Sequence, residues 1–174
     1  RGMYHCKLPP GVPWRTYLNR YIGSNLMKGG LEQYTATGAI SVAVSNAVAD
    51  ELRQYYSDIK PVVIPNGIDV THFTKRDRAC SRQKYGIDLD EFVVCFTGRF
   101  AMLGKGFAEL YAIALLAWEE TLQIKFLIAT DEIPQGWPPN VIFVHNAHYE
   151  NMPEIYSAAD VFVFPSRYEG CSYS

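Results

Sequence analysis

Apolar and polar positions follow two periods along this chain, and the switches between them outline its elements. Between residues 13 and 34, Trp14, Leu18, Tyr21, Ile22 and Leu26 recur at spacings of three and four, which predicts a helix that weakens toward Gly29-Gly30. Ile40, Val42 and Val44 predict a short strand. Ser45 is placed to cap a helix through Val48, Leu52 and Tyr55, with Asp50 and Glu51 in its opening turns, where the positive end of the macrodipole favours acids. Val62-Val63-Ile64 predicts a second strand and Pro65-Asn66-Gly67 a turn.

Residues 70–90 are polar and poor in core positions, as a connection between domains would be. The pattern then restarts. Phe92 to Phe96 is a continuous apolar run, the signature of a strand buried on both faces of a parallel sheet. A glycine-containing loop leads to a helix over 107–120. Its apolar positions (Leu110, Tyr111, Ile113, Ala114, Leu115, Leu116 and Trp118) run nearly all round, which predicts deep packing. Strands are predicted at 124–129 and 141–144, then a helix over 152–159 with Asn151 as cap and Pro153 in its first turn, and a strand over 161–164.

Strand and helix alternate from 40 to 64 and again from 92 to 164. That order predicts an α/β fold with parallel sheets and right-handed crossovers. Ligands in such sheets bind beyond the carboxyl ends of the strands. The unusual residues of the chain gather there: Gly98-Arg99, Ala129-Thr130, His145-Asn146 and Pro165-Ser166.

Composition narrows the classes. Of the 174 residues, 48% are hydrophobic and 20% charged, which excludes disordered and collagen-like chains. Sixteen basic and 18 acidic residues give a net charge of −2, which offers nucleic acid no electrostatic footprint. The basic cluster of Lys75, Arg76, Arg78, Arg82 and Lys84, interrupted by Asp77, reads as a solvated surface segment. The four cysteines (Cys6, Cys80, Cys95 and Cys171) are widely spaced and form no metal-ligand pair, and Cys95 sits in an apolar run as a small core residue. With no disulfide framework in view, a reducing cytoplasm is the expected setting.

Two segments carry candidate chemistry. The loop Gly98-Arg99-Phe100-Ala101-Met102-Leu103-Gly104-Lys105-Gly106 leaves a buried strand and ends at a helix. Its glycines allow close backbone approach, and a helix start offers N–H groups to an anion. An Arg fork and a Lys point charge together suit a diphosphate. The same residues would also serve an ordinary surface loop. In the second segment, Pro165-Ser166-Arg167-Tyr168-Glu169-Gly170-Cys171-Ser172, a carboxylate past the end of a strand can face a ligand crevice or simply occupy a turn.

Five segments taken together are more specific: VAVSNAVADELRQYY, VVIPNGIDVTHF, VVCFTGRFAMLGKGF, NVIFVHNA and MPEIYSAADVFVFPSRYEG, in this order and spacing. The set resembles the retaining glycosyltransferases of GT-B fold, a family that includes sucrose and starch synthases and many bacterial and archaeal mannosyl- and glucosyltransferases. The resemblance implies parts of two Rossmann-like domains. Residues 1–64 would be the end of an N-terminal acceptor domain, 65–91 the crossing between domains, and 92–174 part of a C-terminal donor-binding domain.

It also implies roles. Arg99 and Lys105, with Gly98 beside them, match the site that grips the donor diphosphate. Glu169 matches the first acid of the family's Glu–seven residues–Glu motif, whose second acid would fall just past Ser174. Val144 and His145 match the place where backbone meets the nucleotide base. His5, Gly170 and Cys171 match positions near the donor sugar. Ala129-Thr130-Asp131 departs from the family's usual Gly-x-Gly turn, where side chains would narrow the nucleotide site, and Ser172 stands where glycine is more usual.

The function implied is transfer of a sugar from a nucleoside-diphosphate sugar to a carbohydrate, lipid-linked or small-molecule acceptor, with retention at the anomeric carbon. No cofactor and no metal are expected, since two fixed cations already meet the diphosphate and no Asp or His cluster is in view. The resemblance leaves room for peripheral membrane association through the rest of an N-terminal domain. The chain reads as a piece of such an enzyme, expected to be inactive by itself. A sugar-nucleotide epimerase of similar fold, or a non-catalytic sugar-nucleotide-binding protein of GT-B type, would carry much of the same pattern.

Overall fold

A computed structural model describes residues 38–56, 58–100, 104–167 and 169. The helix expected over 13–34 lies outside them. The chain divides into two compact units, one running to Gly67 and taking in Glu169, the other spanning Ile68–Arg167.

In the first unit, β1 (Val42–Ala43) pairs in parallel with β2 (Val62–Val63), and α1 (Asn46–Tyr55) connects them. Ser45 caps α1 as expected: its extended backbone lets Oγ accept from the Val48 amide at 3.2 Å, a contact worth ~1 kcal/mol. Asp50 and Glu51 fall beyond the first turn, however, and Asp50 instead pairs with Arg53 at 2.7 Å.

The second unit is a four-stranded parallel sheet in the order β5-β4-β3-β6. Its strands are β3 (Phe92–Thr97), β4 (Ile124–Thr130), β5 (Val141–His145) and β6 (Val161–Phe162). Continuous apolar runs give strands with two buried faces. Val93 and Cys95 point with Leu127 and Ala129 toward one cluster, completed by Ile87, Ile155 and Ala158. Val94 and Phe96 point with Phe126 and Ile128 to the other face, against Leu110, Ala114 and Ala117. Burial pushes the Cys95 thiol up to about 12, so it stays a neutral core residue.

α3 (Phe107–Glu119) covers the second of these faces, but less deeply than its composition predicts. Only one narrow stripe of it is buried, while Ile113, Leu116 and Trp118 remain 55%, 56% and 50% exposed. A single sheet face can cover one side of a helix, however many of its sides are apolar. On the opposite face lie α2 (Arg78–Lys84) and α4 (Met152–Ala158), linked by an ion pair between Lys84 and Glu154. Asn151 does not cap α4 through its side chain, because it closes a preceding 3₁₀ turn over Tyr149–Asn151.

α2 is the element that the polar composition of 70–90 conceals. Asp77 caps it by accepting from the Cys80 amide at 2.8 Å. Arg82, expected in a solvated cluster, is 0% exposed. Its guanidinium donates to the carbonyls of Ala158, Asp88, Leu89 and Glu91 at 2.7–3.0 Å and to Asp160 Oδ2 at 2.7 Å. Asp160 also accepts from the Val93 amide at 2.7 Å and from Arg78. The fan of carbonyls replaces the water that a buried cation loses.

Candidate functional site

The strand order of the second unit marks where a ligand crevice is expected. The chain steps from β3 outward to β4 and β5, then returns to the other side of β3 for β6. Strand order therefore reverses between β3 and β6, and ligands of open parallel sheets bind at the carboxyl ends on either side of such a reversal. Gly98-Arg99 leaves β3 at that point, and Pro165-Ser166-Arg167 follows β6 there.

The loop from 98 to 106 is fastened at both ends. At its start, the Gly98 amide extends the ladder by donating to Ala129 O at 3.0 Å, and the Phe100 amide donates to Asp131 Oδ1 at 2.7 Å. At its end, Gly104 O accepts from the Arg167 amide at 2.8 Å. Gly106 has φ of +84° and starts α3 with no side-chain cap. A Cβ there would stand 2.5 Å from Pro165 O, so the loop can lie this close to the segment after β6 only with glycine.

The two loop cations differ in setting. Arg99 is exposed. Lys105 is half-buried, with Nζ 5.6 Å from the centroid of the Phe164 ring, a cation–π arrangement that aims it along the end of β6. Arg167 donates through Nε and a terminal nitrogen to Glu109 Oε1 at 3.2 and 2.6 Å, and this contact is the main cause holding the Glu109 carboxyl below its ordinary value.

The carboxyl end of β5 joins the same rim. Val144 pairs in register with Ala129, and His145 with Thr130. His145 Nε2 lies 3.0 Å from Asp131 O and 3.1 Å from Asn146 Nδ2. The first contact needs a protonated Nε2 and the second a bare one, so one tautomer serves each. Asn146 takes φ of +48°, a turn conformation that asparagine tolerates.

Asp131, one of the side chains expected to narrow the nucleotide site, has its carboxylate engaged by the Phe100 amide. That bond is the first cause lowering its pKa, and Arg99 adds a smaller electrostatic pull. The signal available in the sequence was an acid one residue past a buried strand. Thus Gly98, Arg99, Lys105, Val144 and His145 all lie at the carboxyl edge of one sheet. Glu169 is half-buried and belongs to the first unit, while His5, Gly170 and Cys171 lie outside the described residues. Among the described residues, no group of three or more His, Cys, Asp or Glu side chains could hold a metal ion. No helix among them is long and apolar enough to cross a membrane.

Comparison with known proteins sets this geometry in a family. Residues 91–174 match the family described as glycosyl transferases group 1. The chain is similar to D-inositol 3-phosphate glycosyltransferase of Geodermatophilus obscurus, at 31% identity over 144 residues, 70% of this chain and 32% of that protein. It is also similar to the protein of the same name from Segniliparus rotundus, at 28% identity over 156 residues, 80% of this chain and 34% of that protein. The chain spans about a third of the length of these curated relatives.

In fold it resembles sucrose-phosphate synthase from Thermosynechococcus elongatus, with a TM-score of 0.61 at 24% identity, covering 77% of this chain and 36% of that one. It also resembles the catalytic domain of Starch Synthase IV from Arabidopsis thaliana bound to ADP and acarbose, with a TM-score of 0.51 at 15% identity, covering 76% of this chain and 35% of that one. With its switch-point loop and these relatives in view, residues 91–174 match the group 1 glycosyl transferases, and the fold of the chain is of the GT-B kind.

Proposed function

We propose that this chain forms the donor side of a glycosyltransferase that moves a sugar from a nucleoside-diphosphate sugar to an acceptor with retention of anomeric configuration. The observation that carries the reading is the loop from Gly98 to Gly106, which brings Arg99 and Lys105 to the reversal of strand order in a domain of the group 1 glycosyl transferases. As the glycosidic bond breaks, negative charge grows on the leaving diphosphate. Fixed cations aimed at that charge stabilise the transition state without reorganising. Arg99 supplies a planar two-pronged donor and Lys105 a point charge held over Phe164.

Glu169 takes the sugar-side role that the family resemblance implies, and the backbone at Val144 and His145 meets the base. Two cations meet the two charges of the donor diphosphate in place of a metal ion, so turnover should survive excess chelator. The acceptor is a carbohydrate, a lipid-linked sugar or a small molecule. The test, run on an enzyme that joins this chain to an acceptor domain, is a panel of nucleoside-diphosphate sugars and acceptors, reading release of the free nucleoside diphosphate and the anomeric configuration of the product. Release with a retained anomer supports the reading. An inverted anomer, an epimerised donor without release, or binding with no turnover would each overturn it.

A further inference from the structure

We propose that Asp131 is the positioning residue of the diphosphate loop: by holding the Phe100 amide it fixes the backbone just past Arg99 and ties that cation to the β5 end of the site. The inference rests on the donor-site reading above. Past Thr97, the Gly98 amide still finds a ladder partner in Ala129 O at 3.0 Å. Phe100 lies beyond the ladder, and its amide is met by the Asp131 carboxylate at 2.7 Å, the short range of a charge-assisted bond. Arg99 thus stands between two anchored amides, and the Phe100 ring also packs edge-on against Phe107 at 5.0 Å between centroids, so the Asp131 bond fixes the backbone where ring packing alone holds only the side chain.

The other side of Asp131 faces β5. Its carbonyl lies 3.0 Å from His145 Nε2, and the neighbouring Thr130 O accepts from the Asn146 amide at 2.8 Å. One residue therefore spans the carboxyl ends of β3, β4 and β5, joining the residues assigned to the diphosphate with those assigned to the base. Thr130 Oγ1, in a side chain that is itself buried, lies 3.3 Å from the same carboxylate oxygen and adds a weaker hold on its rotamer. A negative charge beside Arg99 would by itself weaken anion binding. An acid at this position is explained by the anchor it provides, and that opposition makes the two roles separable.

Asparagine keeps an oxygen able to accept the Phe100 amide and removes the charge, whereas alanine removes both. The experiment measures affinity of the chain for UDP, ADP and GDP, and for the corresponding nucleosides, in wild type and in Arg99→Ala, Asp131→Ala and Asp131→Asn. We expect Asp131→Ala to weaken the preferred diphosphate by about ten- to a hundredfold, the range of one hydrogen bond to a charged group. Nucleoside affinity should change little, and Asp131→Asn should recover most of the loss. Hydrogen exchange at the Phe100 amide should be slow in wild type and Asp131→Asn and fast in Asp131→Ala.

If both substitutions tighten binding, the carboxylate acts only by its charge and the proposal fails. It fails as well if Asp131→Ala binds like wild type while Arg99→Ala does not, an outcome that leaves the donor-site reading standing. A wild-type chain that binds none of the diphosphates overturns both. A Phe100 amide that exchanges fast in wild type overturns the positioning role even if Asp131→Ala does not fold.

Discussion

The two edges of the four-stranded sheet use the same residue type for opposite ends. At the amino edge, Arg82 is wholly buried and every bond it makes ends on a backbone carbonyl or on Asp160. At the carboxyl edge, Arg99 is exposed on a loop whose backbone, rather than its side chain, is held in place. What separates the two is where the hydrogen-bond donors end. A guanidinium already ringed by protein acceptors has nothing left to offer a ligand, whereas one presented at a strand-order reversal does. The proposed division puts a buried, fully bonded cation at one edge and the anion-binding cation at the other, and substitutions can test it.

The largest effect should come from Arg82. Arg82→Ala would leave the buried carbonyls of Ala158, Asp88, Leu89 and Glu91 without their donor and Asp160 with one cation fewer. Breaking a buried ion pair of this kind costs about 3–5 kcal/mol, a large share of an ordinary domain's stability. Arg82→Lys should recover little, because a single ammonium cannot reach a fan of acceptors. Chemical denaturation followed by circular dichroism checks both, and a loss under about 1 kcal/mol for alanine would erase the contrast between the edges.

Lys105→Ala should do the reverse. In an enzyme with both halves of the cleft, sugar transfer should fall about a hundred- to a thousandfold, or ~3–4 kcal/mol, as when one preorganised electrostatic contact is lost. The melting temperature should scarcely move, since the contact with Phe164 is worth ~1 kcal/mol or less. Turnover close to wild type in a normally folded variant would remove Lys105 from the chemistry.

This division also decides what could be read from sequence. The strands at 92–97, 124–130 and 141–145 were legible because full burial forces continuous apolar runs, and the place of the loop cations at the end of β3 followed from that strand and the glycines that bracket them. Arg82 was not. A polar residue that completes a fan of carbonyls looks the same in sequence as one that faces water, and its partners Ala158 and Asp160 lie more than seventy positions away. Asp131 escaped for a related reason, because its partner Phe100 comes from another strand's loop. The exposed flanks of α3 misled in the opposite sense, since apolar composition records what a helix can bury rather than what its own sheet covers. The approach of Gly106 to Pro165 likewise depends on the return of β6 to β3, a topological fact with no local trace.

Gly106→Ala should give an intermediate effect that couples the two properties. The residue sits at φ +84°, and a Cβ would meet Pro165 O at 2.5 Å and Pro165 Cγ at 2.6 Å. Backbone strain at such a position costs about 1–3 kcal/mol, and the loop must also move off the segment after β6. Gly104→Ala is the control: its φ of +99° is strained, but its Cβ would meet nothing within 4 Å. Melting and diphosphate affinity should therefore fall together for Gly106→Ala. For Gly104→Ala only a smaller loss of stability is expected, and equal effects in the two variants would show that the approach to Pro165 is unimportant.

The smallest effect should come from the ion pair between Arg167 and Glu109 at the carboxyl edge. The contact is short, at 2.6 Å, but the side chains are 63% and 40% exposed, so water and salt screen most of its strength. Pairs of this kind contribute between zero and about 1 kcal/mol. The sign with pH follows from Glu109, whose carboxyl is held below its ordinary value chiefly by the Arg167 hydrogen bond. Such a group adds stability above the carboxyl's unfolded value and loses it as pH falls through the lowered one. Glu109→Gln should therefore lower the melting temperature slightly at neutral pH, and less in high salt. In acid below the carboxylate range the variant and wild type should melt together. Arg167 also donates its amide to Gly104 O, so a second outcome is informative. If Glu109→Gln instead destabilises the protein as strongly as Arg82→Ala, the pair is what anchors the loop, and the carboxyl edge bears stability after all.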